Sequence, residues 1–334
     1  KPRRLGRRLR PLPPPPPHLT PAARPREPAT LIGVKLKLIL GAIALAAAIA
    51  ATLPELRPGI IALAGRGQGC PVSHAIRIAR EKADLTAAKD RILAASRLLE
   101  TDPAGFEHWE TPYGRFWIPS GQKYILPFNL AEMETRIYGS GAHYIQPGDT
   151  VLDCGANIGT FARFALNARA GKVIAIEPSP ENLECLRRNF PAEIGDGRLV
   201  LVAKGVWHQE DTLELLVDPQ NRAADSFVME RDAATGAVKV PLTTIDRLAS
   251  DLALARVDFI KMDIEGAETN ALRGAAAVMA RDQPRMSISA YHLAGDPVDI
   301  PRIVREAWPG VKVECGPCNY GEGVLRPDVL YFRK

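Results

Sequence analysis

The chain has 334 residues, of which 46% are hydrophobic and 24% charged, a composition that suits one sizeable α/β domain with added segments. Its net charge of +5 is unevenly spread: the first 37 residues hold ten Lys and Arg against one acid, and the rest carries 33 bases against 37 acids. The acidic remainder leaves no basic face for a nucleic-acid partner, and five scattered cysteines, at 70, 154, 185, 315 and 318, make a poor disulfide framework and fit a reducing compartment.

Residues 1–33 read as a disordered Pro/Arg-rich tail. Ten of the 29 prolines fall in the first 30 residues, including Pro13 to Pro17, and such a segment buries too little apolar surface to order itself. Residues 34–54 read as a hydrophobic helix of signal or anchor type. After Lys35 and Lys37 comes the uncharged stretch Leu38 to Leu53. It is short of the ~20 residues that span a bilayer. It resembles a signal-peptide core, with Ala48-Ile-Ala50 suited to cleavage; a buried helix is the alternative. The upstream basic residues would send the downstream chain outward, away from a cytosolic cofactor. The expected location is cytoplasmic, with a membrane tether through Leu38 to Leu53 and export left open.

Residues 55–146 read as an N-terminal extension. From Ser73 to Glu100 the residues Ile78, Leu85, Ile92 and Leu99 recur every seven positions, which predicts a helix with Ser73 as its N-cap. The aromatic stretch His108 to Pro119 predicts a β-hairpin arm, whose rings cap the core or cover a substrate site.

From residue 147 to 334 strands and helices alternate. Strands are expected at Thr150–Asp153, Lys172–Glu177, Arg198–Ala203, Val257–Asp263, Arg285–Ala290, Val311–Glu314 and Asp328–Phe332. Repeated βα units imply a mostly parallel sheet with helices on both faces. Ligands of such sheets lie at the carboxyl ends of the strands, where strand order reverses.

Chemistry-bearing residues fall at those ends. The first junction reads Asp153-Cys-Gly155-Ala156-Asn157-Ile-Gly159-Thr-Phe161. Its G-x-x-x-G spacing differs from the G-x-G-x-x-G of pyrophosphate cofactors, and it suits a ligand without phosphates. Asp153 can serve an ammonium group, directly or through water. Glu177, 24 residues on and followed by Pro178, can accept hydrogen bonds from ribose hydroxyls. The segment Asp258 to Glu268 sets Lys261, Asp263, Glu265 and Glu268 at the end of one strand. A buried Lys there needs a partner, and Glu268 alone reads as a helix-start charge. His292 comes after the next strand and is the usual base near neutral pH. Cys315-Gly-Pro-Cys318 has the spacing of half a zinc site or of a redox pair. Without a second CxxC it reads as two thiols on a turn, and no metal is expected.

The residues Val151 to Phe161, Val173 to Asn182, Gly205-Val-Trp207, Thr243 to Leu248 and Ile260 to Glu268 resemble the FkbM-type methyltransferases of the Rossmann-like class I fold. The resemblance implies a seven-stranded sheet and S-adenosylmethionine as cofactor, bound by the first motif, Glu177 and Pro178, with Asp225 and Ser226 near the adenine. It further implies methyl transfer to a hydroxyl of a sugar, lipid or polyketide-type molecule. Asp263 or His292 is then the expected base, with Lys261 or Glu265 orienting it or the acceptor. An NAD-dependent oxidoreductase and a non-catalytic, membrane-anchored binding protein are the rival readings.

Overall fold

The computed structural model describes residues 34, 35, 37, 38, 40–43, 53–216, 237–321 and 323–334. The expected tail, most of the Leu38 to Leu53 stretch, and Asp225 and Ser226 lie outside them. The described residues from 34 to 43 are helical and belong to a unit ending at Ala48. Among the described residues no helix is long and apolar enough to cross a membrane.

The second unit runs from Ile49. Its first helices are α1 (Arg57–Leu63), α2 (Val72–Ala75) and α3 (Ile78–Ala94). The single helix expected from Ser73 to Glu100 is thus corrected. Pro71 precedes α2, no side chain caps it, and the chain restarts at Ile78. Ile78 and Ile92 are buried along the packed face of α3. Leu99 instead lies in β1 (Arg97–Thr101), because that segment pairs antiparallel with β2 (Phe106–Thr111). The expected hairpin is β2 with β3 (Gly114–Pro119), so the arm is a three-stranded sheet. Phe106, Phe116 and Ile118 of this sheet pack with Ala88 and Ile92 of α3 and with Leu126 and Leu130 of α4 (Ile125–Thr135). The same cluster takes in Ile158 and Cys185, so most of the arm's apolar side chains tie the extension to the main domain.

The remaining strands are β4 (Thr150–Cys154), β5 (Lys172–Ile176), β6 (Leu199–Val202), β7 (Gly205–Val206), β8 (Asp211–Leu216), β9 (Ala237–Thr243), β10 (Phe259–Met262), β11 (Arg285–Ser289), β12 (Lys312–Cys315), β13 (Cys318–Gly321), β14 (Val324–Pro327) and β15 (Val329–Arg333). Seven of them form one sheet in the order β12-β15-β11-β10-β4-β5-β6. All neighbours from β11 to β6 are parallel, and β15 is antiparallel to both its neighbours. This is the arrangement of Rossmann-like class I methyltransferases. The central strands are buried on both faces, so they read as apolar runs. Leu152, Ile174, Ile260 and Ile288 lie in one core, and Val151, Val173 and Phe259 in the other, as the two-residue period of a strand requires. From β4 the chain runs outward through β5 and β6, then returns to β10 on the other side. Strand order therefore reverses between β4 and β10, and a crevice opens there at their carboxyl ends. β7, β8 and β9 make a small separate sheet, and β13 pairs only with β14.

Cys154 and Cys185 are buried free thiols. Two of the other three correct the reading of the five as a poor disulfide framework, while Cys315 is free. Cys70, in the loop before α2, is joined to Cys318 across a sequence separation of 248, with their Cα atoms 6.2 Å apart. No spacing rule could reveal this pair, because only the packing of α1 and α2 near β13 and β14 brings the two residues together.

Phe116 is fully buried between the arm and the main sheet's helices. Phe116→Ala is expected to lower the unfolding free energy by about 3–5 kcal/mol, measured by urea denaturation; a loss below about 1 kcal/mol would show that the arm adds no stability.

Candidate active site

The loop after β4 is shaped by two glycines. Gly155 has φ +77°, and a Cβ there would come within 2.0 Å of the Asp263 carbonyl oxygen. Only glycine lets the ends of β4 and β10 approach this closely. Gly159, at φ +93°, starts α5 (Thr160–Asn167), and a Cβ there would strike the Phe190 ring at 2.3 Å. Between them the Asn157 N–H donates to Glu177 Oε2 at 2.8 Å. The other oxygen of Glu177 accepts from the Ser179 N–H at 2.9 Å and from Asn182 Nδ2 at 3.3 Å. Glu177 thus ties the loop after β4 to the loop after β5.

Two cavities flank this loop. The smaller, about 50 Å³, runs along Ile176, Glu177, Pro178 and Val206. The larger, about 380 Å³, is lined by Lys89, Phe128, Glu132, Ala156, Phe161 and Tyr291 among others. Gly155, Asn157, Asp263 and Glu265 line both, so these four residues mark where the two spaces meet.

Below the junction lies a chain of alternating charges. The parallel register sets Lys261 beside Asp153. Lys261 Nζ is 3.4 Å from Asp153 Oδ1 and donates to the Gly155 carbonyl at 2.8 Å. Burial by itself would lower the Lys261 pKa, but Asp153 and Asp263 hold it above the ordinary value. Lys261 therefore stays charged. Asp153 is wholly buried and lines neither cavity. The ammonium within its reach is that of Lys261, so of the two routes expected for it, direct contact with a ligand or contact through water, the burial favours the second.

Asp263 lies just after β10. The Tyr138 hydroxyl donates to its Oδ2 at 2.6 Å, and His292 Nε2 is 3.4 Å from its Oδ1. Burial pushes its pKa up, but Lys261 and His292 more than offset this and hold it below the ordinary value. Asp263 is therefore an ionised carboxylate. Next to it, Glu265 has φ +53°, a left-handed conformation that is uncommon away from glycine.

The side chain of His292 is only 3% exposed, with Nδ1 2.9 Å from Glu268 Oε1 and Nε2 3.8 Å from Glu265 Oε2. The expectation that it faces the crevice is corrected: it sits behind Asp263 and lines neither cavity. Burial disfavours its charge, yet Glu268, Asp263 and Glu265 raise its pKa to about 9. At neutral pH it is an imidazolium, which holds carboxylates but cannot take a proton. Glu268 also accepts from the Ile264 N–H at 2.9 Å, so it is more than a helix-start charge. Two residues of the extension complete the site without any motif to announce them. They are Tyr138 and Glu132, the latter with its pKa raised to about 8 by burial and by the negative charge of Asp263.

The profile of the methyltransferase FkbM domain family matches residues 153–307, the stretch that holds the four junction residues and the charge chain beneath them. Over residues 153–307 the chain is similar to FkbM methyltransferase domains. Within the curated proteins, this chain is 24% identical over 159 residues to the hexuronic acid methyltransferase AglP of Haloferax volcanii, covering 48% of this chain and 62% of that protein. It is 28% identical over 154 residues to methyltransferase sdnD of Sordaria araneosa, covering 37% of this chain and 59% of that protein. The match thus spans about three-fifths of each relative. A crystal structure of an FkbM methyltransferase from Methylobacillus flagellatus aligns with a TM-score of 0.42 at 18% identity, covering 76% of this chain and 59% of that one.

The raised His292 pKa has a consequence for stability. A folded-state value of about 9 against an ordinary 6.5 stabilises the fold fully below pH 6.5, and this contribution is lost as pH rises through about 9. The urea midpoint of the wild type is expected to fall over that interval relative to His292→Gln. Parallel curves would refute the imidazolium.

Proposed function

We propose that the chain is an S-adenosylmethionine-dependent O-methyltransferase whose acceptor is a hydroxyl of a sugar-type small molecule. One observation carries this reading: the two cavities meet at Asp263 and Glu265, the place where a methyl donor and an acceptor would have to touch. The residues fit the donor. Ile176 and Val206 offer apolar walls for an adenine, and Glu177 stands where ribose hydroxyls would lie. Asp263, with Oδ1 3.4 Å from His292 Nε2, is kept as an ionised carboxylate at this junction. Together with Glu265 it offers negative charge to a sulfonium cation. The bound donor supplies an already activated methyl group, so the protein's own task is alignment and proton removal.

Asp263 takes the proton of the acceptor hydroxyl in this reading. Tyr138 and the His292 imidazolium fix its orientation, and His292 moves from candidate base to positioning residue. Lys261 keeps Asp153 neutralised beneath the loop, so both support the cofactor loop from below. Glu132, protonated at neutral pH, donates a hydrogen bond to a second acceptor oxygen. The sugar class is supported by the similarity to a hexuronic acid methyltransferase. It is also supported by the mixed lining of the larger cavity, where Phe128 and Tyr291 stand with Lys89, Asn129 and Glu132.

Thermal shift tests the cofactor: S-adenosylhomocysteine should raise the melting temperature and NAD should not, and the reverse result would revive the oxidoreductase reading. Asp263→Asn should cut turnover by roughly 10²–10⁴-fold with labelled donor and a panel of neutral and uronic sugars, while donor affinity is kept; lost donor binding would reassign Asp263. Glu177→Ala should weaken donor binding by roughly tenfold or more, and wild-type affinity would remove its ribose role.

A further inference from the structure

We propose that Cys70, Cys315 and Cys318, in their thiol form, are a binding site for a thiophilic divalent cation of the zinc type. The three sulfurs lie within 4.8 Å of one another. Cys315 Sγ is 3.5 Å from Cys318 Sγ and 4.0 Å from Cys70 Sγ. Tetrahedral coordination with Zn–S bonds of about 2.3 Å sets sulfur atoms about 3.8 Å apart, and the two Cys315 separations bracket that value. Cys315-Gly-Pro-Cys318 has the ligand spacing of a zinc turn. It lies between the end of β12 and the start of β13.

The imidazole of His74 belongs to the same turn. Its Nδ1 lies 2.7 Å from the Gly316 carbonyl oxygen, between the two cysteines of the turn. Metal-binding histidines commonly engage a backbone carbonyl through one ring nitrogen and leave the other for the metal. His74 stands four residues after Cys70, so each cysteine-bearing segment brings two polar groups to one place. Of these four residues the three cysteines alone lie within 4.8 Å of one another, so a water molecule takes the fourth position unless the His74 ring turns its Nε2 towards the sulfurs.

The disulfide between Cys70 and Cys318 and a bound cation exclude each other, since a disulfide sulfur has no charge to donate. Opening the site breaks the S–S bond. The two sulfurs take up two electrons and two protons from a dithiol reductant, which leaves as its own disulfide. Cation binding then releases the thiol protons to solvent. The core here is small: among the described residues it comprises buried Cys70, Ala75, Ile78, Cys318 and Leu325, with Ile61, Ala62, Cys315 and Tyr320 packed partly buried against them. A small core of this kind gains from a staple. The cation would fix the start of α3, the helix that carries Lys89 to the larger cavity.

The test uses the full chain reduced with dithiothreitol, desalted without oxygen and titrated with Co²⁺, so its readout is independent of methyl transfer. One equivalent should bind with thiolate-to-cobalt charge transfer and intense tetrahedral visible bands, and Zn²⁺ should displace it. Cys315→Ser should remove the tetrahedral spectrum while leaving the Cys70–Cys318 pair and the circular dichroism intact. His74→Ala should weaken binding roughly 10-fold or more if it is the fourth ligand, and unchanged affinity would assign that position to water. A weak octahedral spectrum in the reduced wild type, or one unchanged by Cys315→Ser, overturns the site.

Discussion

The ion pair between Lys261 and Asp153 is the constraint on which the rest of this site depends. A lysine in the middle of a parallel sheet loses its hydration, at a cost of several kcal/mol per ion unless a partner is in place. Here the register of β4 and β10 supplies one, and the Gly155 carbonyl takes a second hydrogen bond. Acidic and basic groups then alternate upward through Asp153, Lys261, Asp263, His292 and Glu268. Lys261 and His292 hold Asp263 ionised, and Asp263 in turn favours the charge on both. The outcome is a carboxylate, Asp263, kept charged at the point where the two cavities join. A cationic ligand and a hydroxyl that must lose a proton both favour such a group.

The same interaction explains why the loop glycines matter. Gly155 allows the backbone after β4 to lie against the Asp263 carbonyl. That close approach lets one lysine serve both strands. Glu177 then draws the Asn157 N–H toward β5, so the loop is held from below by Lys261 and from the side by Glu177. Its shape is settled before any ligand arrives, which lowers the cost of ordering on binding.

The extension before the sheet is part of this machinery. Tyr138 hydrogen-bonds Asp263, and Glu132 and Lys89 enter the larger cavity from α4 and α3. The matched domain supplies the cleft and the charge chain. The residues before 153 supply one wall of the space where an acceptor would lie. The larger cavity is thus lined in part by Lys89, Phe128, Glu132 and Tyr138, which lie outside the family match.

Alternating apolar runs and helical stretches were enough to read the parallel sheet, because a strand buried on both faces must be apolar throughout. The G-x-x-x-G turn, Glu177 and the acidic segment to Glu268 were legible for a related reason: a ligand at strand ends demands glycine and acids at set distances along the chain. Chain position could not say which way His292 faces, since burial and three neighbouring carboxylates decide both its place and its proton. Nor could it find Glu132, Tyr138 or the meeting of Cys70 with Cys315 and Cys318, whose partners lie far away in sequence. Local spacing determined which loops carry chemistry; packing decided which side chains share a space, and hence which of them are charged.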